Sequence, residues 1–262
     1  MIKVLYLIFG DIRHQTDEDL IDIMQNIKKY DTDASFIINH PNSSLPEAKL
    51  KHLVQPINQS NHIFGVFIEF IDHYSKNRSD YDFTHVCLFS ANQYQIGSFK
   101  PLLGINYFQF YNCDNWPHKY NGKDFSNVYQ GRPLFQDYGT WDTKGMSEKL
   151  SVPYAMASNW EGSYLTREAI ELCTDHIACC LELYPADDMI SVFPGYMALK
   201  TGQPWQFPPF FGTFDPSNRD NNFNHIIRID QVIEKKKAGY LSIKRVDYKK
   251  SCPVKQFIRE QK

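Results

Sequence analysis

The chain lacks any apolar run near the roughly 20 residues that a membrane-spanning helix needs. It lacks an excess of either charge: Lys plus Arg number 28 and Asp plus Glu 30, a formal net charge of -2. That balance exerts no global pull on nucleic acid. No GxGxxG follows the first apolar run and no GxxxxGK[ST] occurs, which disfavours dinucleotide oxidoreductases and P-loop enzymes of the usual type. HExxH and GxSxG are absent as well. The six cysteines include no CxxC pair and no Cys/His cluster at zinc spacing. The nine histidines are scattered and form no ligand set by spacing. There is no internal repeat, no coiled coil and no clean linker.

What is present is a folded composition, with 42% hydrophobic and 22% charged residues over 262 positions. A chain of this length can bury a proper core, and a single domain over residues 1–262 is expected. The first apolar stretch, Val4 to Phe9, is short and ends in Gly10-Asp11-Ile12-Arg13 without a small-residue cleavage site. It reads as a buried strand and not as a leader. The expectation is a cytoplasmic protein of bacterial or viral type, or a soluble domain of a larger enzyme.

Local pattern predicts the order of elements. Thr16-Asp17-Glu18-Asp19 is a helix start, a hydroxyl cap with a carboxylate three residues on. Leu20, Ile23, Met24 and Ile27 then recur at helical spacing. Ala34 to Ile38 is a second strand, with a short third near Val54. Asn61 to Tyr74 is a helix, and Thr84 to Phe89 a central strand. Continuous apolar strands alternating with helices predict an α/β fold: a mostly parallel central sheet flanked by helices. Residues 100–155 read as long loops and short strands, and residues 202–222 as a loop. Thr166 caps a helix, residues 226–237 form another, and Tyr240 to Val246 a late strand. Ligands of such sheets sit beyond the carboxyl ends of the strands. That marks Gly10 to Arg13, Asn39 to Ser44 and Ser90 to Ile96.

Two Asp-x-Asp triplets, Asp31-Thr32-Asp33 and Asp80-Tyr81-Asp82, precede strands and fall at the wrong end of the sheet for metal-assisted sugar transfer. Aromatics reach 15% and crowd residues 105–214. They suit either sugar stacking or core packing.

The stretch Ser90-Ala91-Asn92-Gln93-Tyr94-Gln95-Ile96-Gly97-Ser98 after a buried strand resembles the core-2/I-branching β-1,6-N-acetylglucosaminyltransferase family, which includes peptide-O-xylosyltransferases. That family has Ser-Gly-x-Asp-Tyr-Pro-Leu-x-Ser there, so Ala91, Gln93 and Gln95 depart from it. Phe36 to Ser43 is similar to its strand followed by His-x-Asp-x-x-Ser. Ser79 to Phe83 is similar to its Asp-Tyr-Asp lead-in, and Trp160-Glu161-Gly162-Ser163-Tyr164-Leu165-Thr166-Arg167 to its Trp-x-x-Leu-Ser-Arg segment. Pro185-Ala186-Asp187-Asp188 falls where the family carries its catalytic carboxylate.

The resemblance implies a GT-A-like glycosyltransferase fold, with residues 1–100 binding the nucleotide sugar and 101–262 holding the acceptor and the catalytic groups. It implies inverting, metal-independent transfer of GlcNAc or xylose from a UDP-sugar to a glycan hydroxyl. No cofactor is expected beyond the donor substrate. One carboxylate takes the acceptor proton, Asp188 first and Asp187 as alternate. Lys244 and Arg245 neutralise the diphosphate. Gly10, Asp11, Arg13 and Asn39 contact the nucleotide, and Ser90, Asn92 and Gln93 face the donor sugar. Trp160, Glu161 and Trp205 line the acceptor groove. Arg167, at a helix start, calls for a specific partner such as a buried carboxylate. The expected partners are a nucleotide-sugar donor and a glycan or glycoconjugate acceptor, without nucleic acid or a transmembrane segment; peripheral membrane association fits a role in polysaccharide biosynthesis. The alternatives are a non-catalytic glycan-binding protein and a nucleotide-dependent hydrolase or phosphotransferase on a similar sheet.

Overall fold

Val4–Phe9 forms strand β1, and all six of its residues are buried. Burial on both faces is why it reads as an unbroken apolar run. The computed structural model describes residues 1–10, 15–52, 63–112, 156–183, 190, 193–211, 227–244, 246–247 and 249–261. Helix α1 (Asp17–Tyr30) starts at the capping box expected from its sequence. Asp19 N donates to Thr16 Oγ1 at 3.4 Å, and Thr16 N donates to Asp19 Oδ2 at 2.9 Å. Strand β2 (Ser35–Asn39) pairs in parallel with one edge of β1, with Phe9 opposite Asn39. Helix α2 (Ile63–Lys76) leads to β3 (His85–Ser90), which pairs in parallel with the other edge, with Phe9 opposite Ser90.

Alternate residues of these strands enter opposite cores. Leu5, Leu7, Phe9, Val86 and Leu88 meet Phe64, Phe67, Phe70 and Tyr74 of α2. Val4, Tyr6, Ile8, Cys87 and Phe89 meet Leu20, Ile23 and Ile27 of α1. Period-two strands between two amphipathic helices therefore seal both faces. Each fully buried Leu, Ile or Phe here contributes about 1.5–3 kcal/mol relative to exposure.

The chain continues through β4 (Tyr94–Gln95), β5 (Asn106–Asn112), β6 (Met156–Thr166), α3 (Arg167–Leu183), α4 (Phe193–Lys200), β7 (Trp205–Gln206), β8 (Phe210–Phe211), α5 (Ile229–Lys237), β9 (Ser242–Ile243) and α6 (Pro253–Glu260). The main sheet runs β2-β1-β3-β6-β5-β7, and a small sheet runs β4-β9-β8. Strands from before and after residue 100 share the main sheet.

The structure corrects the expected mostly parallel sheet, which is mixed. β6 lies antiparallel to both β3 and β5. A buried strand shows the same apolar pattern whichever way it runs, so its direction is not written in its residues. The small-residue stretch around Trp160 belongs to β6. Residues 202–222, read as loop, contain β7 and β8, each held by backbone pairing of only two residues. The late strand contracts to Ser242–Ile243. Near the expected third strand, Leu50 makes a single bridge to Asn39, and Val54 itself lies outside the described residues. Among the described residues, no helix is long and apolar enough to cross a membrane.

Candidate functional site

β1, β2 and β3 end in one row, at Phe9, Asn39 and Ser90. The chain leaves β1 to form β2 on one side and returns to form β3 on the other. The crevice between the carboxyl ends of β1 and β3 is therefore a topological switch point, where open α/β sheets bind ligands.

Gly10 closes that row. Its N–H donates to Asn39 O at 3.1 Å. A Cβ there would lie 2.6 Å from the same oxygen, so any other residue would push the two strand ends apart. Asn39 is fully buried, and its Nδ2 donates to His52 O at 3.1 Å. Among the described residues, its buried Oδ1 finds no hydrogen-bond donor. The following loop is tied to α1: Asp17 accepts from the hydroxyls of Ser43 and Ser44, each at 2.5 Å, and from Ser44 N at 3.2 Å. Those two hydroxyls hold the Asp17 carboxyl below its ordinary range. The first turn of α1 carries Asp17, Glu18 and Asp19. Its own carboxylates thus occupy the helix end where an anion would otherwise be favoured.

Ser90, Asn92 and Gln93 form a tight turn. Gln93 N donates to Ser90 O at 3.0 Å, Ser90 N to Gln93 Oε1 at 3.3 Å, and Ser90 Oγ to Asn92 Oδ1 at 3.0 Å. Gln93 Nε2 reaches across to Ser242 Oγ of β9 at 2.8 Å, and Val246 N donates to Asn92 O at 3.0 Å. These side chains fasten the end of β3 to the small sheet.

β6 supplies the opposite wall. Its ladder with β3 stops at Cys87 opposite Tyr164. Its register with β5 shifts between Tyr107 and Gln109. Inside this irregularity Gly162 has a φ of +71°, and bulges of this kind re-aim side chains beside functional clefts. The Trp160 ring turns into the core, 4.5 Å from the Phe9 ring. It is 8% exposed, so it does not offer an open stacking face. Glu161, the next residue, meets Lys244 in an ion pair. Their side chains are 7% and 15% exposed, which makes this a mostly desolvated pair. Lys244 is held in place as its N–H donates to Phe211 O at 3.0 Å.

The structure thus gathers Gly10, Asn39, Ser90, Asn92, Gln93, Trp160, Glu161 and Lys244 at one end of the sheet. It does not bring Trp205 there. Trp205 pairs with Asn106, whose side chain accepts from Thr166 N, and Thr166 pairs with His85 at the amino end of β3. Trp205 packs on Phe108 and Phe207 at 5.6 and 5.7 Å. Asp11, Arg13, Asp187, Asp188 and Arg245 lie outside the described residues.

Both Asp-x-Asp triplets sit before strands, as the pattern predicted. Asp31 ends α1 and accepts from Tyr6 OH at 3.4 Å, while Asp82 pairs with Lys3. Arg167 finds backbone carbonyls and not the expected carboxylate: Nε donates to Phe83 O at 2.9 Å and Nη2 to Tyr81 O at 2.8 Å. Sequence reasoning missed Ser242 and Phe210. Neither carries a local signal, because each matters only through a partner distant in the chain. Among the described residues, no group of three His, Cys, Asp or Glu side chains is placed to hold a metal ion.

Comparison with known proteins gives no match: no family model, no curated protein and no solved structure matches this chain.

Proposed function

We propose that this chain is a glycosyltransferase of GT-A-like architecture that moves a sugar from a UDP-sugar to a hydroxyl of a glycan acceptor, with inversion and without a metal. The observation that carries the reading is the mostly desolvated Lys244–Glu161 pair at the carboxyl end of β3, beside the switch point between β1 and β3. A transferase needs positive charge where the leaving diphosphate develops, in a site shielded from water. Lys244 meets that need, and the acidic first turn of α1 does not.

The resemblance gives Glu161 to the acceptor and Lys244 to the donor; their ion pair supports a reading in which the two proposed subsites adjoin. In the proposed site Glu161 holds the Lys244 ammonium as its counter-ion before donor arrives. A diphosphate then shares that ammonium, and the Glu161 carboxylate becomes available to acceptor hydroxyls. Asp188, with Asp187 as alternate, remains the proposed base that takes the acceptor proton. The resemblance to the core-2/I-branching family supports the donor class, UDP-GlcNAc or UDP-xylose.

Calorimetric titration with UDP, in EDTA and then in excess manganese, tests this reading. Expected is binding that EDTA leaves unchanged and that Lys244→Met weakens at least tenfold, about 1.4 kcal/mol, while the far-ultraviolet circular dichroism stays that of wild type. Binding only with manganese would overturn the metal-free assignment. Absence of UDP binding under both conditions would overturn the transferase.

A further inference from the structure

A buried polar stripe runs along α1 from its first turn, and no step of the proposed transfer uses it. Asp19, Asp22 and Asn26 lie at helical spacing on one face and are 4%, 2% and 3% exposed. Such a stripe in the interior is costly unless every member is paired, and each of the three is. Asn26 clamps the backbone of β4, donating from Nδ2 to Gln95 O at 3.1 Å and accepting from Gln95 N at 2.8 Å. Asp22 accepts from Tyr94 OH, with 3.2 Å to each carboxylate oxygen. It also faces two cations of α6: Arg259 Nη1 at 2.5 Å and Lys255 Nζ at 3.5 Å. Asp19 accepts from Lys250 N at 2.7 Å. One turn beyond Asn26, Lys29 Nζ caps α6 through the carbonyls of Ile258, Arg259 and Gln261 at 3.3, 3.2 and 2.6 Å.

Both things that α1 grips in this way, β4 and α6, flank Lys244. β4 pairs with β9, with Tyr94 opposite Ile243, the residue before Lys244. The segment after Lys244 returns to α1 through Lys250 and α6. Arg259 closes this return, as its Nη2 donates to Lys250 O at 3.0 Å. Burying one carboxylate between two cations is a poor way to gain stability alone. It is a good way to fix a geometry, because an apolar substitute would not specify where α6 sits. Burial pulls the Lys255 ammonium below its usual range and Asp22 opposes that pull.

We propose that α6 and the Asp22 cluster form a clasp that positions Lys244 opposite Glu161, with Asp22 and Arg259 as its positioning residues. The proposed role rests on the transferase reading only where ligand affinity is concerned. The clasp itself is a statement about β4 and β9.

The test uses Arg259→Gln, which leaves Asp22 paired with Lys255 and Tyr94, and Arg259→Lys, which restores the charge without the two-pronged reach. Hydrogen exchange followed by mass spectrometry reads peptides covering residues 92–97 and 241–246 against those covering β1 and β3. Expected for Arg259→Gln is exchange at least about tenfold faster in the first pair with β1 and β3 unchanged. UDP affinity should fall about tenfold, and Arg259→Lys should recover part of both losses. Wild-type exchange in residues 92–97 and 241–246 overturns the clasp, as does an equal rise in β1 and β3, which is plain destabilisation. Faster local exchange with unaltered UDP affinity, in a wild type that binds UDP, overturns the positioning role. Failure of the wild type to bind UDP overturns the transferase reading, and the exchange comparison then decides the clasp alone.

Discussion

Gly162→Ala should be among the most damaging single-methyl additions in this protein. Two costs add. The residue holds a φ of +71°, and an L side chain in that region costs about 1–2 kcal/mol. The new Cβ would then stand 2.6 Å from Phe210 Cγ and 2.9 Å from Phe210 Cβ and Cδ2. Ordinary carbon contacts are about 3.5–4.0 Å, so the ring must retreat by roughly 1 Å. Phe210 is 2% exposed and opens β8, so the retreat strains packed surroundings. Overpacking of this kind costs about 1–3 kcal/mol. The total is about 2–5 kcal/mol against an expected overall stability of about 5–15 kcal/mol. Gly239→Ala is the control. Its φ is +88° and nothing among the described residues lies within 4 Å of the added Cβ, so it bears the backbone cost alone. Urea unfolding followed by tryptophan fluorescence should show Gly162→Ala the weaker by about 1–3 kcal/mol. Adding Phe210→Leu should give less than the sum of the single losses, because the smaller side chain relieves the clash. Equal losses for the two alanines, or strict additivity with Phe210→Leu, would refute the reasoning. The same retreat would carry Phe211 with it, and Phe211 O holds the backbone of Lys244. UDP affinity in Gly162→Ala should therefore fall as well.

Two further predictions rest on single side chains. His85 is buried with Nε2 3.1 Å from Ile105 O, and burial depresses its pKa. The unfolded chain therefore binds the proton more readily, so the stability from neutral His85 is complete above about pH 6.5 and is lost as pH falls below that. Urea midpoints of wild type should drop more steeply than those of His85→Gln between about pH 6.5 and 5, and parallel curves would show that His85 is not the group responsible. Arg167 grips the carbonyls of Tyr81 and Phe83 and lies 4.6 Å over the Phe83 ring. Arg167→Lys keeps the charge but loses the planar fork, so a loss of about 1–3 kcal/mol and a Tm lower by several degrees are expected. An unchanged Tm in a calorimetric scan would sink the idea that this fork anchors the start of α3.

The sequence alone determined the parts of this protein that depend on neighbours in the chain. Thr16 and Asp19 specify the start of α1 because a cap needs only the residues within one turn. Val4 to Phe9, Ala34 to Ile38 and Thr84 to Phe89 specify strands covered on both faces, because burial leaves an unbroken apolar run. Their ends then mark the sites to inspect, and Phe9, Asn39 and Ser90 do share one row, which Gly10 closes. The wrong-end placement of both Asp-x-Asp triplets was equally legible. Only the tertiary structure decided the rest. β6 runs against its neighbours, and nothing in its own residues records that. Trp160 was legible as an aromatic near the site, but whether its ring faced a sugar or Phe9 depended on the bulge at Gly162. Trp205 is close in sequence to Phe210, which packs on that bulge, yet it lies toward the other end of the sheet. Lys244 and Glu161 carry opposite charges in unrelated stretches, and only the β4-β9-β8 sheet sets one against the other. The physical reason is the same in each case. Periodicity and capping are properties of a short segment, whereas direction, register and long-range ion pairs belong to how segments meet, and many meetings are compatible with one local pattern.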